Sequence, residues 1–252
     1  MVQQINSGYK KLDALTNGGF RASSLIIVTG RPKIGKTAFV LGIAKYLALK
    51  EKRAVGIFSF QVSPEELAQK LISSDSYVSF KKIKNKTIDF SDWPKITKAA
   101  GELSQAPLYI DGAPNILLSE LNNKIYHLKE SYNIQLIILD SLEPTFANKE
   151  RINFMQKDFS ISYFFKDLAC RLNIPLIVVA QLPLTAHWWR LSDLQNLGIN
   201  ELDVDLILFL SREDKDSSNG DNIKLELAKN RYGPLGSVKL RLLKEYYRVE
   251  EA

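Results

Sequence analysis

The chain has 252 residues, of which 45% are hydrophobic, enough for one large α/β domain spanning residues 1–252. It has no run of about 18 apolar residues, and its N-terminus lacks the basic and apolar regions of a signal peptide, so neither a membrane span nor a cleaved leader is expected. A single cysteine, Cys170, excludes an internal disulfide and favours a reducing, cytoplasmic compartment; its helical surroundings predict that it is buried. The formal net charge of +6 is compatible with a polyanionic partner but does not identify one.

Apolar runs of strand length alternate with helical patterns along most of the chain. The strand-like runs are residues 24–29, 54–60, 107–111, 135–140, 174–180, 205–210, 223–229 and 236–243. The helical patterns are residues 37–49, a segment that starts at Ser63, and residues 91–104, 118–131 and 152–172.

Several of the strand-like runs are continuously hydrophobic, which is typical of strands that a parallel sheet buries on both faces. The alternation therefore predicts an α/β fold, with a mostly parallel sheet and helices on both of its faces. Only residues 230–235 separate the last two runs, and this short connection predicts an antiparallel C-terminal hairpin.

A phosphate-binding loop is predicted between the first long strand and the first long helix. Gly30 and Gly35 have four residues between them, and Lys36 and Thr37 follow directly. Glycines let main-chain N–H groups point at phosphate oxygens, and the N-terminus of the next helix favours the same anion. The residues predicted to bind the nucleotide are Gly30, Arg31, Pro32, Lys33, Ile34, Gly35, Lys36, Thr37 and Ala38. A glycine-rich turn without a ligand is the alternative.

Within this loop, we expect Lys36 to contact the β- and γ-phosphates of ATP and Thr37 to hold Mg²⁺ through its hydroxyl. Asp140 ends a buried strand-like run and is the expected second metal anchor, because ligands of such sheets lie at the carboxyl ends of the strands. Gln181 ends the next run and could hydrogen-bond the γ-phosphate. A polar strand end without a role is the alternative for each of these two residues.

These pieces resemble the C-terminal RecA-like ATPase domain of DnaB-type replicative helicases, and the resemblance covers nearly the whole chain. Besides Asp140, the segments that carry it are residues 7–13, 31–38, 58–63, 109–111, 180–182, 228–236 and 244–246. The most diagnostic is Lys229-Asn230-Arg231-Tyr232-Gly233-Pro234, because RecA-like recombinases share the phosphate loop but generally lack this segment.

The resemblance implies a homo-oligomer, a hexameric ring that binds ATP and Mg²⁺ at subunit interfaces and acts on single-stranded DNA. It also implies that Lys229 and Arg231 of one subunit reach the γ-phosphate held by the next, since a planar guanidinium suits the oxygens of a phosphoryl group. Other replication proteins are further candidate partners, and no membrane partner is expected. The family's N-terminal helical domain has no counterpart here, so the chain is either a fragment or a stand-alone relative.

One departure from the family concerns catalysis. The family carries a water-polarising glutamate after the second strand, and Gln61 occupies that position here. An amide can hydrogen-bond a water but cannot accept its proton, and general-base assistance contributes about 10²–10⁴-fold. We therefore expect hydrolysis to be impaired unless another carboxylate replaces the glutamate; Glu65, Glu66 and Glu143 are the candidates.

A second departure concerns the loop that faces DNA in the family. Gln195 replaces the family's arginine, whereas Gly198 is kept, and the candidate DNA contacts are Gln195, Asn196 and Gly198. Losing a cation weakens the salt-dependent part of DNA binding. Trp188 and Trp189, which follow Gln181 in an altered segment, could stack bases or contact a partner.

Two functions from different classes follow. The first is an ATP-driven motor domain of a DnaB-like replicative helicase that translocates on single-stranded DNA. The second is a non-catalytic or weakly active, helicase-like ATP-binding protein that acts as an adaptor in DNA replication. A RecA-like or KaiC-like ATPase with another client shares the fold but explains the segment from Lys229 to Pro234 poorly.

Overall fold

The computed structural model describes residues 4–112, 114, 116–142, 160–182, 191–212 and 222–252. The strands are β1 (Gln4–Ile5), β2 (Phe20–Arg21), β3 (Leu25–Gly30), β4 (Val55–Ser59), β5 (Leu108–Gly112), β6 (Leu136–Leu142), β7 (Leu176–Gln181), β8 (Leu206–Arg212), β9 (Asn222–Asn230), β10 (Gly236–Leu243) and β11 (Arg248–Glu251). The helices are α1 (Lys10–Leu15), α2 (Lys36–Leu49), α3 (Pro64–Ser76), α4 (Phe80–Lys84), α5 (Trp93–Ser104), α6 (Leu118–Tyr132), α7 (Ile161–Leu172) and α8 (Leu191–Gln195). In these ranges no helix has the length and apolar character that a membrane crossing needs.

The large sheet has the strand order β11-β10-β9-β8-β3-β7-β6-β4-β5. The six strands from β8 to β5 are parallel to one another, whereas β9, β10 and β11 pair in antiparallel fashion, β9 with β8 included. The predicted mostly parallel sheet and antiparallel C-terminal hairpin are therefore confirmed. Strands β1, β2 and β11 were not predicted; with two to four residues each, they are too short to show a hydrophobic period.

The two faces of the sheet bury separate apolar clusters, because successive residues of a strand point to opposite sides. On one face, Ile26 and Val28 of β3 belong to the cluster that contains Phe39 of α2. On the other face, Leu25 and Ile27 belong to the cluster that contains residues of α6 and α7. Strand β3 is buried along its whole length, which is why its sequence is continuously apolar.

Helix ends follow from local hydrogen-bonding residues. Ser63 begins α3, where its Oγ accepts from the main-chain N–H of Glu66 at 3.2 Å and Pro64 takes the first helical position. Ser160 caps α7 in the same way, with its Oγ accepting from Tyr163 N. The first part of the predicted helix 152–172 lies outside the described residues. Cys170 is exposed on α7, so the prediction that it is buried is wrong.

The register of the parallel strands brings four strand ends together. Gly30 of β3 lies beside Gln181 of β7, and Ser59 of β4 lies beside Asp140 of β6. The loops that follow these residues, and the N-terminus of α2, therefore meet at the carboxyl ends of the parallel strands. Ligands of open α/β sheets bind at this end.

A glycine at the end of β3 tests this packing. Gly30 has a φ of 153°, and an added Cβ would lie 2.5 Å from the main-chain oxygen of Leu210 on the neighbouring strand. We expect Gly30→Ala to lower the free energy of unfolding by about 1–3 kcal/mol, as measured by denaturant titration. The control is Gly101→Ala in α5, where an added Cβ meets nothing within 4 Å, so it should add about 0.5–1 kcal/mol of stability. Equal effects of the two changes would contradict this account.

Candidate functional site

A cavity of about 390 Å³ opens where the carboxyl ends of β3, β4, β6 and β7 meet. Its floor is formed by the residues that follow β3 and by the first turn of α2, and the loop after β10 forms part of its wall. The residues that line it are Lys33, Gly35, Lys36, Thr37, Ala38, Gln61, Val62, Lys70, Asp140, Ser141, Val179, Gln181, Leu242, Lys244 and Tyr247. Its size and its concentration of polar groups at strand ends suit a small charged ligand.

The loop that follows β3 is held in shape by its own lysine. Gly35 has a φ of 105°, in the left-handed region that glycine favours, and α2 begins directly after it. Lys36 is 6% exposed, and its ammonium donates to the main-chain oxygens of Gly30 and Arg31, both at 2.9 Å. Burial is the main cause that lowers the pKa of Lys36 to about 8, and the nearby charge of Asp140 opposes it. A buried ammonium group therefore sits in the curve of the loop.

Thr37 and Asp140 form the part of the cavity that suits a divalent cation. The Thr37 hydroxyl donates to Asp140 Oδ1 at 3.3 Å, and Asp140 is 4% exposed. Burial raises the pKa of the Asp140 carboxyl above its ordinary value, while the bond from Thr37 and the charges of Lys70 and Lys36 oppose that rise. One carboxylate and one hydroxyl oxygen, with room for water and phosphate, is a ligand set that Mg²⁺ accepts. The residues present therefore fit this ion.

The predicted nucleotide-binding residues divide into two groups. Lys33, Gly35, Lys36, Thr37 and Ala38 line the cavity. Gly30, Arg31, Pro32 and Ile34 are not among the described lining residues. The side chain of Ile34 is buried in the apolar cluster under α2, so it stabilises the loop from below and offers a ligand its main chain only.

The two glutamines predicted to act on the γ-phosphate both line the cavity. Gln61 follows β4 and is exposed, and Gln181 is the last residue of β7. Glu66 is not among the described lining residues, and its carboxylate accepts from Lys70 at 2.9 Å and from Lys84 at 2.7 Å. Glu65 is not among the lining residues that the structure describes, and Glu143 lies outside the described residues. Their predicted roles gain no support from this geometry.

Sequence reasoning missed several lining residues, and Lys70 is the most informative of them. Its side chain is only 5% exposed, and its ammonium lies 4.7 Å from the centre of the Tyr247 ring. The signal was present in α3: Lys70 lies on the buried face of the helix, at helical spacing from the buried residues Leu67 and Ser74. Lys244 belongs to the segment 244–246 that carries the resemblance but was given no role at the site, and Tyr247, which follows it, had no such signal.

Lys229 and Arg231 lie near the amino end of β8, at the opposite end of the parallel strands from the cavity. Arg231 donates from Nη1 to Asp205 Oδ1 at 2.9 Å, and Asp205 directly precedes β8. Lys229 Nζ donates to the main-chain oxygen of Glu201 at 2.6 Å. Both side chains therefore have hydrogen-bond partners in their own chain. The length of β3 separates them from the phosphate loop, roughly 17–20 Å for six residues.

The candidate DNA contacts lie together at the C-terminal end of α8, apart from the described lining of the cavity. Gln195 and Asn196 are exposed. The main-chain N–H of Gly198 donates to the main-chain oxygen of Gln195 at 2.9 Å. Trp188 and Trp189 lie outside the described residues. The roles of all these residues stay predictions.

Comparison with known proteins identifies relatives over almost the whole chain. The family model described as "DnaB-like helicase C terminal domain" matches residues 4–251. Replicative DNA helicase DnaB of Geobacillus stearothermophilus is 36% identical over 254 residues, which cover 97% of this chain and 56% of that protein. Replicative DNA helicase DnaC of Bacillus subtilis is 34% identical over 254 residues, with the same two coverages of 97% and 56%. The chain thus spans about half the length of these relatives.

The solved structures that match the chain are consistent with this family model. A solved ATPase domain matches with a TM-score of 0.86 at 29% identity, over 100% of this chain and 92% of that one. A DnaB-like replicative helicase, described together with its interactions with primase, matches with a TM-score of 0.85 at 30% identity, over 98% and 62%. A KaiC-like protein from Pyrococcus horikoshii, at 15% identity and a TM-score of 0.68, shares the fold. The α/β sheet is therefore that of the RecA-like ATPase domains.

The lowered pKa of Lys36 predicts a pH dependence of nucleotide affinity. A bound triphosphate stabilises the charged ammonium, so binding takes up a proton when Lys36 is neutral beforehand. Since burial lowers the pKa of Lys36 to about 8, affinity should fall as pH rises through that value, by up to about tenfold per pH unit. A fluorescent ATP analogue titrated from about pH 7.5 to about pH 9.5, above the range in which its own phosphate titrates, measures this. A constant affinity over that range would refute the prediction.

Proposed function

Because the chain belongs to the DnaB-like helicase C-terminal domain family, we propose that it is the ATP-binding motor part of a replicative DNA helicase. In this proposal it couples ATP hydrolysis to translocation on single-stranded DNA in the cytoplasm. The observation that carries the proposal is the meeting of Lys36, Thr37 and Asp140 in one cavity at the carboxyl ends of the parallel strands. Each of these residues matches a part that phosphoryl-transfer sites require.

ATP binding exchanges hydrogen-bond partners within the loop. Lys36 moves its ammonium from the oxygens of Gly30 and Arg31 to the β- and γ-phosphates, and the first N–H groups of α2 point at the same anion. Thr37 and Asp140 would hold Mg²⁺, which when bound would supply positive charge to the phosphates. Lys70 adds a second buried ammonium to the same cavity. The ligand is therefore met by positive charge from two different elements, α2 and α3.

Gln61 and Gln181 contact the γ-phosphate end of the ligand. Gln181 ends β7 beside Gly30, so its amide is in place to bond the γ-phosphate and to respond to its loss. Gln61 orients the attacking water, but its amide cannot take the proton. Without that assistance hydrolysis is slower by about 10²–10⁴-fold, or roughly 3–5 kcal/mol of barrier. We therefore propose that the chain hydrolyses ATP slowly.

Lys229 and Arg231 act on the site of a neighbouring copy. They cannot reach the cavity of their own chain across the length of β3, so a role at the γ-phosphate requires a second subunit. A hexameric ring would place the hairpin of one copy against the phosphate loop of the next. Gln195, Asn196 and Gly198 would then face single-stranded DNA. Other replication proteins are proposed partners, since one of the related helicases is described with its interactions with primase.

The second candidate function is an adaptor of DNA replication that binds ATP and hardly turns it over. The specific observation that favours it is Gln61, which lines the cavity at the position of the family's glutamate. Among the described lining residues Asp140 is the one carboxylate, and Glu66 is engaged with Lys70 and Lys84. The rate of hydrolysis decides between the two functions.

The first test restores the missing base. Gln61→Glu should raise steady-state ATP hydrolysis at least tenfold, with and without single-stranded DNA, because a carboxylate can accept the proton of the attacking water. Gln69→Glu is the matched control: it makes the same chemical change on α3 outside the described lining of the cavity, and it should leave the rate unchanged. Strong DNA-stimulated turnover by the wild type, equal to that of the variant, would exclude the adaptor.

The second test concerns nucleotide binding itself. Lys36→Ala removes the ammonium that should contact the phosphates, so it should weaken binding of an ATP analogue by a hundredfold or more, roughly 3 kcal/mol. Lys52→Ala, which removes an exposed lysine beyond the end of α2, should leave the affinity unchanged. Isothermal titration calorimetry measures both, and an unaltered affinity after Lys36→Ala would remove the proposed site.

A further inference from the structure

A second cluster of charged groups lies away from the cavity and is centred on Asp205, whose side chain is completely buried. Its Oδ1 accepts from Arg231 Nη1 at 2.9 Å and from the Tyr232 hydroxyl at 2.8 Å. Its Oδ2 accepts from Lys166 Nζ at 2.6 Å and from Leu25 N at 2.8 Å. Burial alone would raise the pKa of Asp205, but the bonds from Lys166, Leu25 N and the Tyr232 hydroxyl hold it below its ordinary value. The carboxylate is therefore charged and fully hydrogen-bonded.

Arg231 is fixed to Asp205 at both its main chain and its side chain. The Arg231 N–H donates to the main-chain oxygen of Asp205 at 3.0 Å, in addition to the bond from Nη1. In the described part of the chain, Nη1 is the guanidinium nitrogen that forms a hydrogen bond, and the side chain remains 48% exposed. Most of its five N–H donors are thus left for an acceptor outside the chain.

Lys166 changes the net charge around the ion pair between Asp205 and Arg231. A lone Asp–Arg pair in a buried position would be neutral and would hold the guanidinium firmly. Here the carboxylate is shared between Lys166 and Arg231, so two positive charges meet one negative charge and the cluster carries +1. Lys166 also donates to the main-chain oxygen of Ser23 at 2.8 Å, which fixes it to the same end of β3. The cluster therefore attracts an anion to the exposed side of Arg231.

Asp205 also connects the arginine to a strand that is buried along its whole length. Through Leu25 N it contacts the first residue of β3, the buried strand whose other end carries the phosphate loop. Arg231 itself belongs to the short connection between β9 and β10. Without Asp205, its guanidinium would depend on that connection alone. A long side chain held in one geometry before it meets its ligand loses less entropy on contact.

We propose that Asp205 is a positioning residue, which holds Arg231 by one nitrogen so that its other donors meet the γ-phosphate bound by a neighbouring copy. This inference rests on the proposed function, in which Arg231 acts between subunits. It adds a residue that does not touch the nucleotide itself, and it assigns a purpose to a buried charge cluster outside the cavity.

The test uses mixed oligomers of full-length chains. Asp205→Asn keeps the size of the side chain and removes its charge, so ATP hydrolysis by the oligomer should fall at least tenfold while affinity for an ATP analogue stays within twofold. Mixed with Lys36→Ala, which has an empty site but an intact Arg231, it should turn over several-fold faster than the mean of the two parents. Mixed with Arg231→Ala it should not recover, because both chains then lack a working arginine.

The pair Arg231→Ala with Lys36→Ala tests the proposed function separately. Recovery in that mixture with none for Asp205→Asn and Lys36→Ala would overturn the positioning role alone. No recovery in either mixture would overturn action between subunits, and the positioning role with it. If Asp205→Asn does not fold, Tyr232→Phe replaces it in the test. This change keeps every charge and removes one hydrogen bond to Asp205 Oδ1. It should give the same pattern of recovery in the mixtures, with a smaller loss of ATP hydrolysis. Full activity of Tyr232→Phe would then count against the proposal.

Discussion

The parallel pairing of β3 with β7 and β8 is the constraint on which both charged clusters depend. At the carboxyl end of β3 the pairing sets Gly30 beside Gln181 and opens the cavity. At the amino end it sets Leu25 close to Asp205, which precedes β8. A shift of one residue in this register would turn the apolar faces of β3 around and separate both clusters from their partners. The stability of the core and the placement of polar groups are thus set by the same hydrogen bonds.

Most of the sheet was predictable because its strands are buried on both faces. Runs such as Leu136 to Leu139 and Leu176 to Val179 have no polar residue to break them, so composition alone indicates a parallel strand. Strands β1, β2 and β11 could not be found in this way, since pairing rather than hydrophobicity defines elements of two to four residues. The exposure of Cys170 was missed for a related reason: a helical pattern says which residues share a face but not which face packs.

The same distinction applies to the candidate site: some of its residues were predictable from short sequence segments, and others only from contacts between distant segments. Lys36, Thr37 and Asp140 were predictable because spacing and strand ends are properties of short segments. Lys70, Lys244 and Tyr247 come from the end of the sequence or from a helix face, and only the folded chain brings them to the cavity. The hydrogen bond between Asp205 and Arg231 joins residues 26 positions apart. It depends on the antiparallel register of β8 and β9, which no sequence pattern predicts. The sequence segment around Arg231 was recognisable, but the hydrogen bonds of Arg231 to Asp205 were not predictable.

The distance between the phosphate loop and Arg231 has a geometric consequence. If the loop of one copy works with the arginine of another, the two surfaces that meet are different, so contact between copies is head-to-tail. An open row of such copies always ends in one loop without an arginine and one arginine without a loop. Under that condition, only a row that closes on itself would leave no such ends.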